Sequence, residues 1–518
     1  MTMDSPRKFS CFIVGGNTLP IRCAELLLER GHQIHGILSP DPLVREWAEA
    51  QGLACGSPHD DPLSFFRAQP FEYLFSIGNL DYIVPDAVLA LPRHLAINFH
   101  DALLPRYAGS HATSWAILHQ EQTHGVSWHV MSDLVDGGDL LHQLAIPVDA
   151  DETAFSLNAK CYEAGIRSFA ALIDALALDR VAPVPQRLDA RTFFARFRRP
   201  DAACVVSWDA PARALDALVR ALAFGPSPNP LGLAKLAVGG HYVVVTEASV
   251  VDRDADAAPG TIVAITSAAV GVATAAGVLE LRRVASIDGR ALPIAEFVAR
   301  FGLSEGARLD AVDDETRARL EQANAAAARH EAYWVKRLAA LQPATLPYAS
   351  AGAAPAGDGD SVQVRTAVPG EIVALRARAG AECETRELVL AAFAAYLVRL
   401  GGGPAFDIGL GGAGALPGAV GLETVLAAVV PLRVAVSGSA TCAEALAAIR
   451  GEVAAVRGRG TYARDLALRY PSLRAYAGQE PGRAMTVGVA LVESVDERAP
   501  VAGSELTLVI GRDGAECV

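Results

Sequence analysis

The chain has 518 residues, 51% of them hydrophobic and 20% charged, with a formal net charge of −13. That length predicts roughly two to four domains, each apolar enough to bury its own core. The acidic balance argues against a main role in gripping nucleic acid, whose phosphates need a basic surface, but leaves room for a locally basic pocket for an anionic ligand.

In chain order, residues 9–14 are an apolar run of buried-strand type, followed by Gly15-Gly16-Asn17. Pro20 suits the first turn of a helix, and residues 21–30 space their apolar side chains helically up to a stop at Gly31. A second strand is expected over 33–38, a helix over 43–51, and third and fourth strands over 73–77 and 95–99. This alternation predicts an α/β fold with a doubly wound parallel sheet. The GGN turn lacks the full GxGxxG pattern, so it reads as a tight strand-to-helix turn rather than a nucleotide loop. Ligands of such sheets bind beyond the carboxyl ends of strands. Asn98 and His100 lie there, as does the loop GNLDYIVP at 78–85.

A helix is expected from Thr113, strands over 125–131 and 141–148 with a loop between, and a long helix over 153–176. The first domain is expected to end near Arg199-Pro200. Beyond it come a helix over 211–223 and short strands over 233–238, 242–248, 260–266, 271–274 and 278–284, which suggest a small barrel or sandwich. Residues 315–341 read as one helix, and PATLPYASAGAAPAGDGD as an inter-domain tether. Helices over 384–400 and 442–457, a strand over 425–436 and two strands within 485–510 follow. No closing element is evident before Val518, which would fit a piece of something longer. Eight cysteines are scattered without a CxxC or Cys/His cluster, and no apolar run approaches roughly 18 residues. The expectation is a cytoplasmic protein with no structural metal and no membrane span.

Chemistry concentrates in 97–141. Asn98 and His100 are one residue apart, so on a strand they share a face. The amide can hold a developing oxyanion, and the imidazole can act as acid or base or hold that oxyanion when protonated. Asp136, in VDGGD, can orient His100, raise its pKa or relay protons through water. Singly, these residues read as a turn former, a satisfied core histidine and a glycine-flanked turn residue.

Together with Leu103-Leu104-Pro105, Tyr107-x-Gly109, Trp115, Gly125-Val126 and Asp136-x-Gly138, in that order, they make residues 9–180 resemble the folate-dependent formyltransferases. That family includes methionyl-tRNA, glycinamide ribonucleotide and sugar N-formyltransferases. The resemblance implies a Rossmann-like domain, N10-formyltetrahydrofolate as donor, no metal, and Asn98, His100 and Asp136 as the catalytic set. Formyl would pass directly from folate N10 to an amine through a tetrahedral intermediate. It also implies that Leu80, Asp81, Tyr82 and Ile83 line the pteridine pocket largely through backbone groups, with Leu134 and Val135 across from them. Where the family commonly reads HPSLLP, this chain reads HDALLP. Asp101 could raise the His100 pKa, help bind an acceptor ammonium, or simply face solvent. His111 and His129 read as structural.

Trp208, Arg220-Ala221 and Pro259-Gly260-Thr261-Ile262 resemble the small OB-like barrel that follows in methionyl-tRNA formyltransferases. There it helps hold nucleic acid, a role the acidic chain makes unattractive. YWVKRLAAL, LVLAAFAAYLVRL and VVPLRVAVSGSATCAEALAAIR resemble part of a nonribosomal peptide synthetase condensation domain, of acetyltransferase-like α/β fold. Its HHxxxDG motif is absent from the chain, so a docking platform beside an adenylation or carrier domain is expected, with an unrelated α/β domain as the plainer reading. The expected division is 1–200 (catalytic), 204–310 (barrel), 311–360 (helix and linker) and 361–518 (condensation-like). The expected activity is formylation of an aminoacyl group carried on a carrier protein by phosphopantetheine, with neither nucleic acid nor membrane as partner. Alternatives are a stand-alone formyltransferase acting on an amino sugar or other small amine, and a non-catalytic scaffold.

Overall fold

The computed structural model describes residues 6–78, 82–252, 256–347, 362–379, 383–401, 403, 405–476, 478, 485–496, 501, 503–512 and 516–518. They divide into two units, 1–198 with 220–225, and 199–219 with 226–518.

The first unit alternates β1 (Ser10–Gly15), α1 (Leu19–Glu29), β2 (Gln33–Leu38), α2 (Pro42–Ala50), β3 (Ala54–Gly56), α3 (Pro62–Arg67), β4 (Tyr73–Ile77), α4 (Asp86–Leu89) and β5 (Leu95–His100). It continues with β6 (Ala108–Gly109), α5 (Ala112–Leu118), β7 (Thr123–Val130), β8 (Leu140–Pro147), α6 (Ala154–Ala177) and β9 (Phe193–Phe194). The main sheet runs β3-β2-β1-β4-β5-β7-β8. It is parallel as far as β5, but β7 and β8 pair antiparallel, which corrects the expectation of a parallel sheet throughout. Only a short loop separates β7 from β8, too short for the crossover a parallel pair requires.

Side chains alternate across the sheet. Cys11 and Ile13 pack with Phe75, Ile97, Trp128 and Phe169 of α6 on one face, while Phe12 and Val14 pack with Phe66, Phe71 and Leu74 on the other. A Cβ at Gly15 would collide with the Ile77 carbonyl, so the first glycine of GGN is needed for close approach of β1 to β4. Five short elements, β3, α3, α4, β6 and β9, differ from the expectation, since runs of two to six residues carry little periodicity.

The second unit begins before α7 (Ala212–Ala221) and contains β10 (Lys235–Val238), β11 (His241–Val251), β12 (Ile262–Ile265), β13 (Val270–Ala273), β14 (Val278–Ser286) and β15 (Ala291–Leu292). These pair antiparallel along an open path, β10-β11-β14-β13-β12, with β15 on β14. Next come α8 (Ile294–Phe301), α9 (Asp314–Ala328) and α10 (Glu331–Ala339). The single helix expected over 315–341 is therefore two. Leu320 of α9 packs with Val205, Leu422 and Leu426, whereas Trp334 and Leu338 of α10 enter a separate core with Phe406 and Leu432, and the chain bends at His330 to serve both.

The rest of the unit holds β16 (Thr366–Ala367), α11 (Gly370–Ala379), α12 (Thr385–Arg399), β17 (Phe406–Gly411), β18 (Val429–Val434), α13 (Cys442–Arg459), α14 (Leu466–Arg469), β19 (Val487–Leu491), β20 (Leu506–Ile510) and β21 (Glu516–Cys517). Its sheet order is β16-β21-β20-β19-β17-β18. The strand expected over 425–436 is shortened because Val425 and Leu426 turn back on Leu422 and pack with Leu320 instead. Most of the expected tether, 348–360, lies outside the described residues. Among the described residues no helix is long and apolar enough to cross a membrane.

A buried ionic cluster joins parts of this unit that are far apart in sequence. Arg469 of α14 donates to both carboxylate oxygens of Glu331 (3.0 and 2.6 Å), to Asp465 (2.8 Å) and to the Asn229 carbonyl (2.9 Å). Lys235 of β10 lies 2.7 Å from Asp465.

Candidate active site

The site is assembled at the end of β5 by strand register. Asn98 pairs across with His129 and His100 with Ser127, which puts these polar side chains on one face. Phe99 and Trp128 take the other face, their ring centroids 5.1 Å apart, and Trp128 packs on Phe169. An apolar face thus holds a polar one in place.

The structure brings Asn98, His100 and Asp136 together. Asp136 has a left-handed backbone (φ 51°), which aspartate tolerates better than most residues. Its Oδ2 accepts from the Gly109 N–H at 2.8 Å and lies 3.6 Å from His100 Nδ1. Its Oδ1 lies 3.5 Å from both Asn98 Nδ2 and His129 Nε2. The His100 Nε2–H donates to the Tyr107 carbonyl at 2.8 Å, so Nδ1 is the ring atom open to proton exchange. On that side Asp101 Oδ1 stands at 3.9 Å, which gives the sequence departure a place beside the imidazole.

His129, structural by its sequence alone, touches two of the three residues. Its Nδ1–H donates to the Val130 carbonyl (2.9 Å), which leaves Nε2 to accept from Asn98 Nδ2 at 3.2 Å. The signal in the sequence was its place on a strand next to an apolar tryptophan; the missing knowledge was which residue it opposes.

Burial alone would raise the Asp136 carboxyl. The charge of His100 and the Gly109 N–H outweigh it and hold the group well below the usual carboxylate range. At His124 burial prevails and lowers the imidazole, and its Nε2–H donates to the Asp101 carbonyl at 2.7 Å, fixing the turn after His100.

The loop carrying Asp136 has no regular structure and is tied down from outside. Gln186 Nε2 donates to the Asp136 and Gly138 carbonyls (2.9 and 2.6 Å), and Arg191 donates to Val135 (2.9 Å). The same segment pairs β9 with β6, with Ser110 N–H on the Phe194 carbonyl and Tyr107 N–H on Thr192 Oγ1. Gly109 has φ 97°, and a Cβ there would collide with the Phe194 carbonyl. Gly109→Ala is therefore expected to destabilise the protein by about 1–3 kcal/mol and to lower kcat/KM at least tenfold by moving the N–H that holds Asp136. Unfolding curves and steady-state kinetics check this, and wild-type values in both would show that the turn tolerates a side chain.

Of the residues expected at the pteridine pocket, Leu80 and Asp81 lie outside the described residues. Tyr82 is half-buried, whereas Ile83 is 89% exposed, Val135 54% and Leu134 40%. Leu134 and Val135 immediately precede Asp136, and large apolar side chains left this open suit the faces of a flat heterocycle.

Residues 79–173 match the formyl transferase family and residues 200–302 the formyl transferase C-terminal domain. The chain is 32% identical over 283 residues to methionyl-tRNA formyltransferase of Burkholderia mallei, covering 52% of this chain and 84% of that one. The chain belongs to the formyltransferase family. Its match to the methionyl-tRNA formyltransferase of Pelobacter propionicus is 29% identical and covers 84% of that protein. Among solved structures, an N-formyltransferase from Helicobacter canadensis in complex with folinic acid and dTDP-3-aminofucose aligns over 53% of this formyltransferase and 99% of its own chain, at 14% identity and a TM-score of 0.44.

Proposed function

We propose that this formyltransferase moves formyl from N10-formyltetrahydrofolate to the α-amine of an aminoacyl thioester on a carrier protein, within nonribosomal peptide synthesis. The observation that carries the transfer step is the convergence of Asn98, His100 and Asp136 at the end of β5. Tyr82, Ile83, Leu134 and Val135 would hold the donor, which supplies the formyl carbon when bound.

Each residue then has a role that its contacts allow. Asn98 Nδ2 reaches Asp136 only at the limit of a hydrogen bond, so that N–H can turn to an oxygen gaining charge. His100, fixed through Nε2 on Tyr107, takes the proton shed by the amine at Nδ1 and would return it to folate N10 as the formyl carbon–N10 bond breaks. Asp136 stays ionised and balances the charge on His100. A carboxylate held this low is a poor base, which favours the electrostatic role over direct deprotonation of the amine.

The choice of acceptor rests on the region beyond the open six-stranded sheet of β10–β15. Residues 361–518 follow the two stretches matched by the family, resemble part of a condensation domain and lack its HHxxxDG motif. They suit a docking platform in a synthetase. Purified protein with formyltetrahydrofolate should add one formyl group to an aminoacyl-loaded carrier protein, read by intact mass. Formylation of a nucleotide amino sugar or of methionyl-tRNA, with the carrier untouched, would sink the carrier reading.

A further inference from the structure

Asp101, the acidic residue of the HDALLP run, has no part in the transfer step as described above, yet it stands beside the ring atom that step uses. The turn that carries it is pinned on both sides. Its own carbonyl accepts from His124 Nε2–H at 2.7 Å, and the carbonyl of the buried Ala102 accepts from Ser127 Oγ–H at 2.5 Å. With the backbone held in this way, the Asp101 carboxylate is kept next to the imidazole.

Two carboxylates therefore face one ring nitrogen, His100 Nδ1, with Asp136 at 3.6 Å and Asp101 at 3.9 Å. They differ in what they can still bind. Asp136 Oδ2 already accepts from Gly109, and Oδ1 lies against Asn98 and His129. Among the described residues nothing donates a hydrogen bond to the Asp101 carboxylate, and no lysine or arginine lies within 4 Å of either carboxylate. The Asp101 side chain is 34% exposed, against 10% for Asp136 and 6% for His100. A proton on His100 balances one of the two negative charges, and the other stays at the open side of the site.

An amine that gives a proton to Nδ1 must bring its nitrogen to within about 3 Å of that atom, which sets it beside the open oxygens of Asp101. At neutral pH most such amines arrive as ammonium ions.

We propose that Asp101 is a specificity-determining residue that selects the acceptor by binding its ammonium group. The inference rests on formyl transfer to an amine at His100, and not on whether a carrier protein or a sugar presents that amine. The bound ammonium holds one proton more than the attacking amine. That proton leaves to water on the exposed side of Asp101 and frees the nitrogen lone pair. The next proton, shed as the new carbon–nitrogen bond forms, goes to His100 Nδ1 and then to folate N10. The open carboxylate recognises the incoming charge, while the buried one stays with the imidazole.

The test compares full-length wild type, Asp101→Asn and Asp101→Glu. Binding is measured by calorimetry with folinic acid present, at about pH 6.5, where an α-amine is protonated. Two pairs of probes differ only in ammonium against hydroxyl: alanyl-pantetheine with lactyl-pantetheine, and dTDP-3-aminofucose with dTDP-fucose. Wild type should bind the ammonium member of one pair about tenfold or more tightly than its hydroxyl partner. Asp101→Asn should bring that pair to within about twofold, and Asp101→Glu, which keeps the charge, should restore most of the preference. Equal affinity of all three proteins for folinic acid alone shows that the donor side is intact. In turnover with formyltetrahydrofolate, Asp101→Asn should raise the acceptor KM by a larger factor than it lowers kcat. A wild type without the preference in either pair overturns the inference, as does Asp101→Asn that keeps it. A preference seen in the sugar pair alone keeps Asp101 and removes the carrier reading. A preference that Asp101→Asn abolishes, in a wild type that transfers no formyl group, keeps Asp101 as the ammonium site and removes the transfer reading alone.

Discussion

Asp136→Asn is expected to lower kcat/KM by about three orders of magnitude and to lower the melting temperature at neutral pH, because the amide keeps the shape and can still accept from Gly109 but no longer balances a proton on His100. Kinetics within tenfold of wild type would remove Asp136 from the mechanism. The same pair of proteins reports on linkage. The Asp136 carboxyl lies below its unfolded value, so its contribution to stability is fully present above about pH 4 and fades as pH falls through the folded value. The stability difference between wild type and Asp136→Asn should therefore shrink on acidification.

The second large effect is expected far from the chemistry. Arg469→Ala leaves Glu331 and Asp465 buried without their main cation and should destabilise the second unit by about 3–5 kcal/mol. Burial raises the Asp465 carboxyl, but Arg469 and Lys235 outweigh it and bring it down to about 2. That stabilisation is complete above the unfolded value near about 4 and is lost as pH falls towards 2. Hydrogen exchange of peptides spanning 229–238 and 463–472 should quicken in the variant at neutral pH and in wild type over that acid range. Unchanged protection of both peptides in Arg469→Ala would show that the cluster adds nothing to local stability.

Much of the catalytic face could be read in advance because one strand carries it. Asn98 and His100 needed only the two-residue period of β5, and the glycines after Asp136 marked a tight loop. His129 could not be read because its role comes from register: the sequence shows a histidine on a strand, and only pairing of β7 with β5 shows that it faces Asn98. The bend at His330 was hidden for a different reason. No glycine or proline marks it, and the break arises from two cores competing for one apparently continuous helix. Gln186 and Arg191 were missed because their contribution is hydrogen bonding to another loop's backbone, which leaves no periodic trace.

The ties from residues 186–194 to the Asp136 loop also bear on the order in which the enzyme matures. Every strand of the main sheet is present in the first 147 residues, so a nascent chain emerging from the ribosome can pair the sheet early. The loop that carries Asp136 acquires its ties to Gln186 and Arg191 only when a stretch about fifty residues further on has been made and has folded back. During synthesis the strands of the sheet are thus all made before those ties can form. Activity would switch on with the arrival of that later stretch and not with completion of the sheet.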